Sequence, residues 1–479
     1  MRKLCSLAAP LVAGLVGCAS PAAETDQGTH EAKTLPGQVG KAGQAFTSVQ
    51  SVLLDFEFDG QLVATTANQN QLRNLIRAQL MYTVGNLNGN DSVGRFERLE
   101  LTDIVATGGA GHYDVTYHAR LPVAWGQLGA EPATYDFILP ARATDADLDT
   151  FAATYNTTCV DPGGRGSDRW SLWYYYRPFR ATCAFDPADV VSFTATVTLS
   201  PENTVGQYPE YDKVWADNQL NVVAMVSRNV NGATSNSDAG IRDYNTLVRQ
   251  IRQYARSLQP DPAQIAETPG LTDTPGVGLP QVSVSVTLPP DPGADPAAPP
   301  RQLNVNVMLV GYRLYQDGTT FDDWYNPLTP TADMILYNGH AGLGENVRTL
   351  STKGDFVAGQ YVMYLSNGCD TFAYVDSTLP DRISAVNGGA PATQFIDTIT
   401  NAMPGYFTTL PTTSMTLIRG LMNIDAPQSY YELLAPIDPS QVALVTGEED
   451  NLFQPGMPIL PVPVVDPPED PPVDPPDPP

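Results

Sequence analysis

The feature that most constrains the fold is a succession of short apolar runs that alternate with helical patterns in the second half of the chain. These runs are bounded by turn-forming residues and include LNVVAMVSRN, LNVNVMLVGYRL, ADMILYNGHAG and QYVMYLSNGCDTF. After the first run, apolar residues recur every three or four positions from Ile241 to Leu258, which predicts an amphipathic helix. Strands that alternate with helices are typical of a mostly parallel sheet with flanking helices. We therefore expect an α/β domain over residues 205–452.

The first half of the chain has a different pattern. Residues 46–204 predict a β-rich α+β domain, with several strand-like stretches and one helical pattern between Leu72 and Val84. The segment SVLLDFEFDGQLVATT predicts a β-hairpin that turns at Asp59 and Gly60. No residues in this half indicate a catalytic or binding chemistry.

Length and charge exclude several classes of protein. A chain of 479 residues is long enough for two or three domains, each with its own core. Its 52 acidic residues against 26 basic ones give a net charge of −26, which repels phosphate backbones, so we expect no nucleic-acid partner. With only four histidines and neither an HExxH nor a CxxC spacing, we predict no metal site and no cofactor.

The first 17 residues predict a secretory signal peptide, because Arg2 and Lys3 precede a short apolar stretch. The end of this stretch, LVGC, resembles a bacterial lipobox, which implies cleavage before Cys18 and lipidation of its thiol. The alternative is an ordinary signal peptide in which Cys18 has no role. Residues 18–45 then predict a flexible tether. By resemblance to known lipoproteins, Ala19 favours a lipid anchor in the outer membrane, with the protein in the periplasm or at the surface.

Two further segments are rich in proline. Residues 260–301 interrupt the α/β domain and contain one alternating strand pattern, VSVSVTL. Residues 453–479 combine proline with acidic residues and predict a disordered, polyproline-like tail. A spacer and a strand that docks a partner are both open as roles for this tail.

The cysteine count predicts one disulfide and leaves Cys369 as the remaining cysteine. Cys5 leaves with the signal peptide and Cys18 carries the lipid. In an oxidising compartment, Cys159 and Cys183 are the natural disulfide pair, and closing that loop stabilises the fold by roughly 3 kcal/mol. Cys369 then has two interpretations, a small buried hydrophobe or a reactive thiol. Its position after an apolar run and after an Asn-Gly pair favours the second.

His340 and Cys369 follow two consecutive predicted strands, at the point where each strand ends. In open α/β sheets, active sites form beyond the carboxyl ends of the strands, so we expect both side chains at one edge of the sheet. A thiol attacks as thiolate, and a neighbouring histidine lowers its pKa or moves its proton. Backbone amides in tight Gly turns can stabilise an oxyanion. The pair therefore favours nucleophilic cysteine chemistry.

A phosphate-binding loop is the competing interpretation of the glycines after the first of these strands. Gly339, Gly342 and Gly344 match neither the GxGxxG nor the GxxxxGK[ST] spacing. No Ser/His/Asp arrangement is visible either.

An apolar strand, a His in a Gly turn, a second apolar strand, a small residue and then Cys form a layout that resembles the caspase-like (clan CD) cysteine peptidases. The strand and helix order over residues 214–450 is also similar to theirs. This resemblance implies a caspase-like fold in which His340 is the general acid/base and Cys369 the nucleophile. It also implies a peptide or protein substrate, and an oxyanion hole made by the backbone amide of Cys369 and that of Ala341 or Gly342.

Three positions depart from the pattern of that family. Ala341 follows the histidine, where those families usually have Gly, and Gly368 precedes the cysteine, where Ala is usual. Asn236 stands where caspases have the arginine that binds a P1 aspartate, so we do not expect caspase-type specificity for aspartate.

Two alternatives belong to other functional classes. One is a catalytically inactive caspase-like lipoprotein that binds a partner or acts as a scaffold of the cell envelope. The other is a plain envelope binding protein in which Cys369 is part of the core.

Overall fold

The protein folds around two separate β-sheets. The computed structural model describes residues 45–270, 272–289 and 299–459. The predicted signal peptide, the lipidation site at Cys18, the tether up to residue 44 and the tail from residue 460 lie outside the described residues. Within those described ranges, no helix is both long and apolar enough to cross a membrane.

The first half of the chain contains seven strands and four helices. The strands are β1 (Phe46–Ser48), β2 (Val52–Ala64), β3 (Ser92–Gly94), β4 (Glu100–Gly109), β5 (His112–Trp125), β6 (Thr134–Pro140) and β7 (Val190–Leu199). The helices are α1 (Gln69–Leu80), α2 (Tyr82–Asn88), α3 (Asp145–Tyr155) and α4 (Arg169–Tyr175).

The second half alternates strands and helices. Its strands are β8 (Gln219–Ser227), β9 (Ile265–Thr268), β10 (Gln281–Thr287), β11 (Gln302–Val310), β12 (Met334–Asn338), β13 (Val362–Asn367), β14 (Ile396–Asn401) and β15 (Ala443–Thr446). Its helices are α5 (Tyr211–Val214), α6 (Ala239–Leu258), α7 (Gly318–Tyr325), α8 (Glu345–Ser351), α9 (Thr371–Tyr374), α10 (Thr378–Val386), α11 (Leu410–Leu421) and α12 (Tyr430–Leu434).

The six-stranded sheet is antiparallel, with the order β3-β5-β2-β7-β6 and β4 paired to β5. The predicted hairpin at Asp59 and Gly60 is wrong, because β2 continues through both residues and pairs with β5 along its whole length. Gly60 lies under the ring of Tyr117, where a Cβ atom would be 2.2 Å from the ring. The glycine therefore makes room for a side chain of the neighbouring strand and does not form a turn.

The nine-stranded sheet has the order β1-β15-β14-β13-β12-β8-β11-β10-β9. Its five central strands, from β14 to β11, are parallel, and the outer strands on both sides are antiparallel. This confirms the predicted fold class, a mostly parallel α/β sheet with flanking helices that follows a β-rich region. The Pro-rich segment contributes β9 and β10 to one edge, one strand more than its sequence pattern indicated.

The parallel strands have apolar runs because both of their faces are buried. In β8, Val222 and Ala224 pack on one face with Tyr244 and Val248 of α6, while Met225 packs on the other face. A strand covered on both sides needs apolar residues at every position, so its sequence shows no alternation.

The core of the six-stranded sheet extends to the nine-stranded sheet. The core of the six-stranded sheet includes Phe372, Tyr374 and Met403, which follow strands of the nine-stranded sheet. The ring of Tyr374 lies 6.2 Å from that of Trp173, in the loop closed by the predicted disulfide. Cys159 and Cys183 are bonded to each other, as predicted. The first region therefore packs directly behind the segment that contains Cys369.

Candidate active site

His340 lies in a tight turn two residues after the end of β12. A Cβ atom at Gly339 would lie 2.0 Å from Ser227 Oγ, at the end of the neighbouring strand β8. The same hydroxyl accepts a hydrogen bond from the backbone N–H of His340 at 3.3 Å. Glycine is thus required where the chain leaves the strand, because only glycine allows this close approach.

The imidazole of His340 is buried, with 8% of the residue exposed. It lies between two aromatic rings, with ring-centre distances of 4.6 Å to Tyr312 and 5.1 Å to Phe407. Its Nε2 atom is 3.1 Å from the backbone carbonyl oxygen of Asn229, in the loop that follows β8. A carbonyl can only accept a hydrogen bond, so Nε2 carries the proton, and Nδ1 of the neutral ring has the lone pair.

Burial also sets the charge state of His340. Desolvation lowers the pKa of the imidazole, and the Asn229 carbonyl and the charge of Asp238 oppose this only in part. The ring is therefore neutral at neutral pH and able to accept a proton at Nδ1.

Two hydrogen bonds fix the turn at His340. Its carbonyl oxygen accepts one from the hydroxyl of Tyr337, at 2.7 Å, and one from Nδ2 of Asn346, at 2.9 Å. The turn that carries the imidazole is thus fixed by the buried side chains of Tyr337 and Asn346.

Cys369 occupies the corresponding position after β13. Asn338 of β12 pairs with Asn367 of β13 in the parallel ladder, and the N–H of Gly339 continues that ladder by donating to the Asn367 carbonyl at 3.0 Å. His340 and Cys369 each follow two residues after this pair. The two turns are therefore neighbours at the carboxyl edge of the sheet, as the sequence predicted.

Gly368 lets the two turns approach closely. A Cβ atom there would lie 2.6 Å from the carbonyl oxygen of Gly339 and 3.2 Å from the amide nitrogen of Ala341. Among the described residues, no acceptor is recorded for the amides of Ala341 and Gly342. The predicted oxyanion donors on the histidine turn therefore lie beside the cysteine turn.

Cys369 itself is buried, with 6% of the residue exposed and its sulfur 3.9 Å from the Gly405 carbonyl oxygen. It is also disulfide-bonded in the structure. Because Cys159 and Cys183 are bonded to each other, neither of them is its partner. Only a thiolate is nucleophilic, so reduction of this bond has to precede any nucleophilic chemistry of Cys369.

Three buried asparagines at the ends of β12, β13 and β14 form a row of side-chain hydrogen bonds, the asparagine ladder, that supports both turns. Asn367 Nδ2 donates to Asn338 Oδ1 at 3.0 Å, and Asn401 Nδ2 donates to Asn367 Oδ1 at 2.9 Å. Ser414 Oγ in α11 adds a bond to Asn338 Oδ1 at 3.0 Å. The ladder holds the ends of β12, β13 and β14 in register. The sequence does not indicate this ladder, because an Asn-Gly pair after a strand is typical of a turn.

Asp370 is a further residue of the site that no sequence pattern indicates. It follows Cys369 directly, has a left-handed backbone with φ of 52°, and is completely buried. Its Oδ2 atom accepts a hydrogen bond from Asn88 Nδ2 of α2 at 2.6 Å, while Oδ1 has no hydrogen-bond partner in the described structure. Desolvation raises the pKa of this carboxyl to about 7, although the bond from Asn88 and the charge of Arg177 oppose the shift.

Comparison with known protein families, curated proteins and solved structures found no match for this chain. Within the described ranges, no group of three or more His, Cys, Asp or Glu side chains is placed to hold a metal ion. The chemistry of the site therefore has to be inferred from His340, Cys369 and the groups around them.

Proposed function

We propose that the protein is a cell-envelope cysteine peptidase of the caspase-like type, in which His340 and Cys369 form the catalytic dyad. The observation that carries the proposal is the hydrogen bond from His340 Nε2 to the Asn229 carbonyl, in a turn that lies next to the turn of Cys369. This bond selects the tautomer whose Nδ1 can accept the proton of a thiol.

The topology of the nine-stranded sheet supports the resemblance to that family. The histidine and the cysteine follow neighbouring parallel strands, β12 and β13, near the middle of the sheet. Both turns lie beyond the carboxyl ends of these strands, the usual place for an active site in such sheets.

The reaction begins with reduction of the disulfide at Cys369. A dithiol supplies two electrons and two protons, is itself oxidised to a disulfide, and leaves Cys369 and the cysteine bonded to it as two thiols. His340 Nδ1 takes the thiol proton, and the thiolate attacks the carbonyl carbon of a peptide bond. The amides of Cys369 and of Ala341 or Gly342 stabilise the oxyanion. The imidazolium protonates the departing amine, and water then hydrolyses the thioester to regenerate the thiol.

The location of the enzyme follows from its predicted N-terminal segment. Once the disulfide at Cys369 is reduced, a lipid on Cys18 anchors the protein in the outer membrane, with the tether between the lipid and the folded region. Peptides or proteins of the envelope are then the substrates. The net charge of −26 favours basic segments of such substrates over acidic ones.

The test is covalent labelling of the full chain after reduction with dithiothreitol. A peptidyl acyloxymethyl ketone reacts with activated thiols, and peptide mass spectrometry locates the modified residue. We expect rapid labelling of Cys369, with Cys159 and Cys183 as internal controls because they are also thiols after reduction. His340→Ala should slow the labelling of Cys369 by about 100-fold or more, since general-base assistance typically contributes that much.

His118→Ala is the matched control for His340. His118 lies on β5, where its Nδ1 is 2.9 Å from Asp59 Oδ1, outside the candidate site. This variant should label like the wild type. Equal labelling of all three cysteines in the wild type would refute the proposal.

A second candidate function is a catalytically inactive scaffold of the same fold. The burial of Cys369 and its disulfide favour this alternative, because both are typical of a structural cysteine. In that case Cys369 should resist alkylation in the reduced, folded protein and react only after urea unfolds it.

A further inference from the structure

Arg95 is a buried arginine that lacks a strong acceptor. It follows β3, is 4% exposed, and extends from the six-stranded sheet toward the end of β15. Its closest polar side-chain partners are Thr446 Oγ1, 3.4 Å from Nη1, and Glu97 Oε2, 3.5 Å from Nη2, and its guanidinium lies over the ring of Phe372, 5.6 Å from the centroid. Its Nε atom has no hydrogen-bond partner among the described residues.

Arg98, three residues further along the chain, has the bidentate carboxylate partner that Arg95 lacks. Both of its terminal nitrogens donate to the carboxylate of Glu202, one to each oxygen. A buried guanidinium normally has such a bidentate partner, because an unpaired buried charge loses its hydration without compensation. Desolvation accordingly lowers the pKa of Arg95, while the charge of Glu97 opposes the shift.

A pocket lies directly beside this guanidinium. Its cavity volume is about 40 Å³, and it lies between Arg95 and one face of the nine-stranded sheet. Thr398 and Thr446 line it next to each other, because they are paired across β14 and β15. One end of the pocket therefore offers a cation and two hydroxyl groups.

The rest of the wall is mainly apolar. Val347 of α8, Leu379 of α10 and Ile396 of β14 contribute to it. Neither His340 nor Cys369 lines the pocket. A cation with hydroxyl groups at one end and aliphatic side chains at the other matches an anionic group that carries a short apolar chain.

We infer that this pocket binds a small monocarboxylate with a short aliphatic chain, whose carboxylate pairs with Arg95 and with the hydroxyls of Thr398 and Thr446. A carboxylate fits the planar guanidinium in a two-point contact. A phosphate dianion fits less well, because Asp376 also lines the pocket and Glu97 lies beside the arginine. One cation among several carboxylates neutralises a single negative charge and not two.

Butyrate is the probe, and butyramide, which has the same shape without the charge, is its control. Binding to the full chain is measured by saturation-transfer NMR and by the rise of the melting temperature with ligand concentration. We expect saturable binding of butyrate and none of butyramide at the same concentrations. Inorganic phosphate should not displace butyrate at constant ionic strength.

Variants locate the site. Arg95→Met should weaken butyrate binding roughly tenfold or more, because it removes a charge-assisted hydrogen bond. Arg419→Met is the matched control, since Arg419 lines a different pocket, and it should bind butyrate like the wild type. Thr398→Val keeps the shape of a β-branched side chain in β14 and should weaken binding even if Arg95→Met fails to fold.

The inference is overturned if butyramide binds as well as butyrate, or if butyrate does not bind at all. Displacement of butyrate by phosphate overturns the ligand class. If Thr398→Val and Arg95→Met each bind butyrate as well as the wild type does, the ligand binds elsewhere and the inference is also overturned.

Discussion

Asn88 donates a hydrogen bond to Asp370 across the contact between the two sheets, with 2.6 Å between Nδ2 and Oδ2. Asn88 ends α2 in the first region, and Asp370 is the residue after Cys369. The bond therefore connects the β-rich region to the segment that presents the proposed nucleophile. It also gives the first region a role in the site, because the left-handed conformation of Asp370 has to be maintained by surrounding contacts.

Asn88→Ala should reduce both the stability and the proposed peptidase activity of the reduced protein. Loss of a bond to a buried carboxyl costs about 1–3 kcal/mol of the free energy of unfolding. We also expect kcat per labelled Cys369 to fall, because the backbone of the nucleophile loses its support. Asn86→Ala is the control, since Asn86 is equally buried in α2 but bonds to Tyr135. An equal loss of kcat in both variants would show that the effect of Asn88 is only structural.

Asp370 should give the stability a pH dependence of defined sign. The pKa of its carboxyl is raised from 3.8 to about 7 in the folded protein. Between these pH values the folded chain holds a proton that the unfolded chain releases, so the stability contribution of Asp370 falls as the pH rises. Relative to wild type, Asp370→Asn should therefore gain stability from pH 4 to pH 8, on the order of a few kcal/mol.

Urea denaturation at both pH values measures this difference. The control is Asp376→Asn, on a partly exposed carboxylate of the same segment. A difference between wild type and Asp370→Asn that is the same at both pH values would contradict the account.

Gly368→Ala should lower activity even though Ala is the usual residue before the cysteine in the family that the sequence resembles. The added Cβ atom would lie 2.6 Å from the Gly339 carbonyl oxygen and would force the two turns apart. Such overpacking costs about 1–3 kcal/mol of stability. Gly109→Ala is the control, because a Cβ atom there has nothing within 4 Å. Wild-type rates of Cys369 labelling in Gly368→Ala would show that the close approach of the turns is not needed.

The acid limb of the pH–rate profile should report the buried imidazole. Burial lowers the pKa of His340 from its ordinary value of 6.5, so the ring remains a base in mildly acidic solution. The acid limb of Cys369 alkylation in the reduced protein should therefore have its midpoint below pH 6.5. The measurement is alkylation with iodoacetamide from pH 4 to pH 9. An acid limb centred above the ordinary histidine value would contradict this placement of the ring.

The sequence predicted the α/β sheet and the neighbouring turns because both depend on local patterns. A strand buried on two faces is apolar at every position, and His340 and Cys369 each stand just past such a strand. The errors and omissions concern residues whose partners are distant in the chain. Gly60 suggested a turn, whereas in the structure the ring of Tyr117 occupies the space that a side chain at position 60 would need. The contact of Asn88 with Asp370 spans 282 positions, and no local pattern indicates it.

The asparagine ladder was missed for a related reason. Asn338 and Asn367 each precede a glycine, and the pair Asn-Gly predicts an exposed turn. In the structure both amides are buried, and Asn367 Nδ2 donates to Asn338 Oδ1 across the neighbouring strands. Only the pairing of β12 with β13 makes polar side chains acceptable at these positions.

The central claim is that His340 and Cys369 together hydrolyse peptide bonds. The most direct measurement is the hydrolysis of a fluorogenic peptide library by the full chain after reduction with dithiothreitol. We predict turnover by the wild type and by His118→Ala, a loss of all detectable turnover in Cys369→Ala, and a loss of most turnover in His340→Ala, with circular dichroism confirming that each variant is folded. Turnover by a folded Cys369→Ala variant equal to that of the wild type, or no turnover by the reduced wild type on any peptide of the library, would contradict the account.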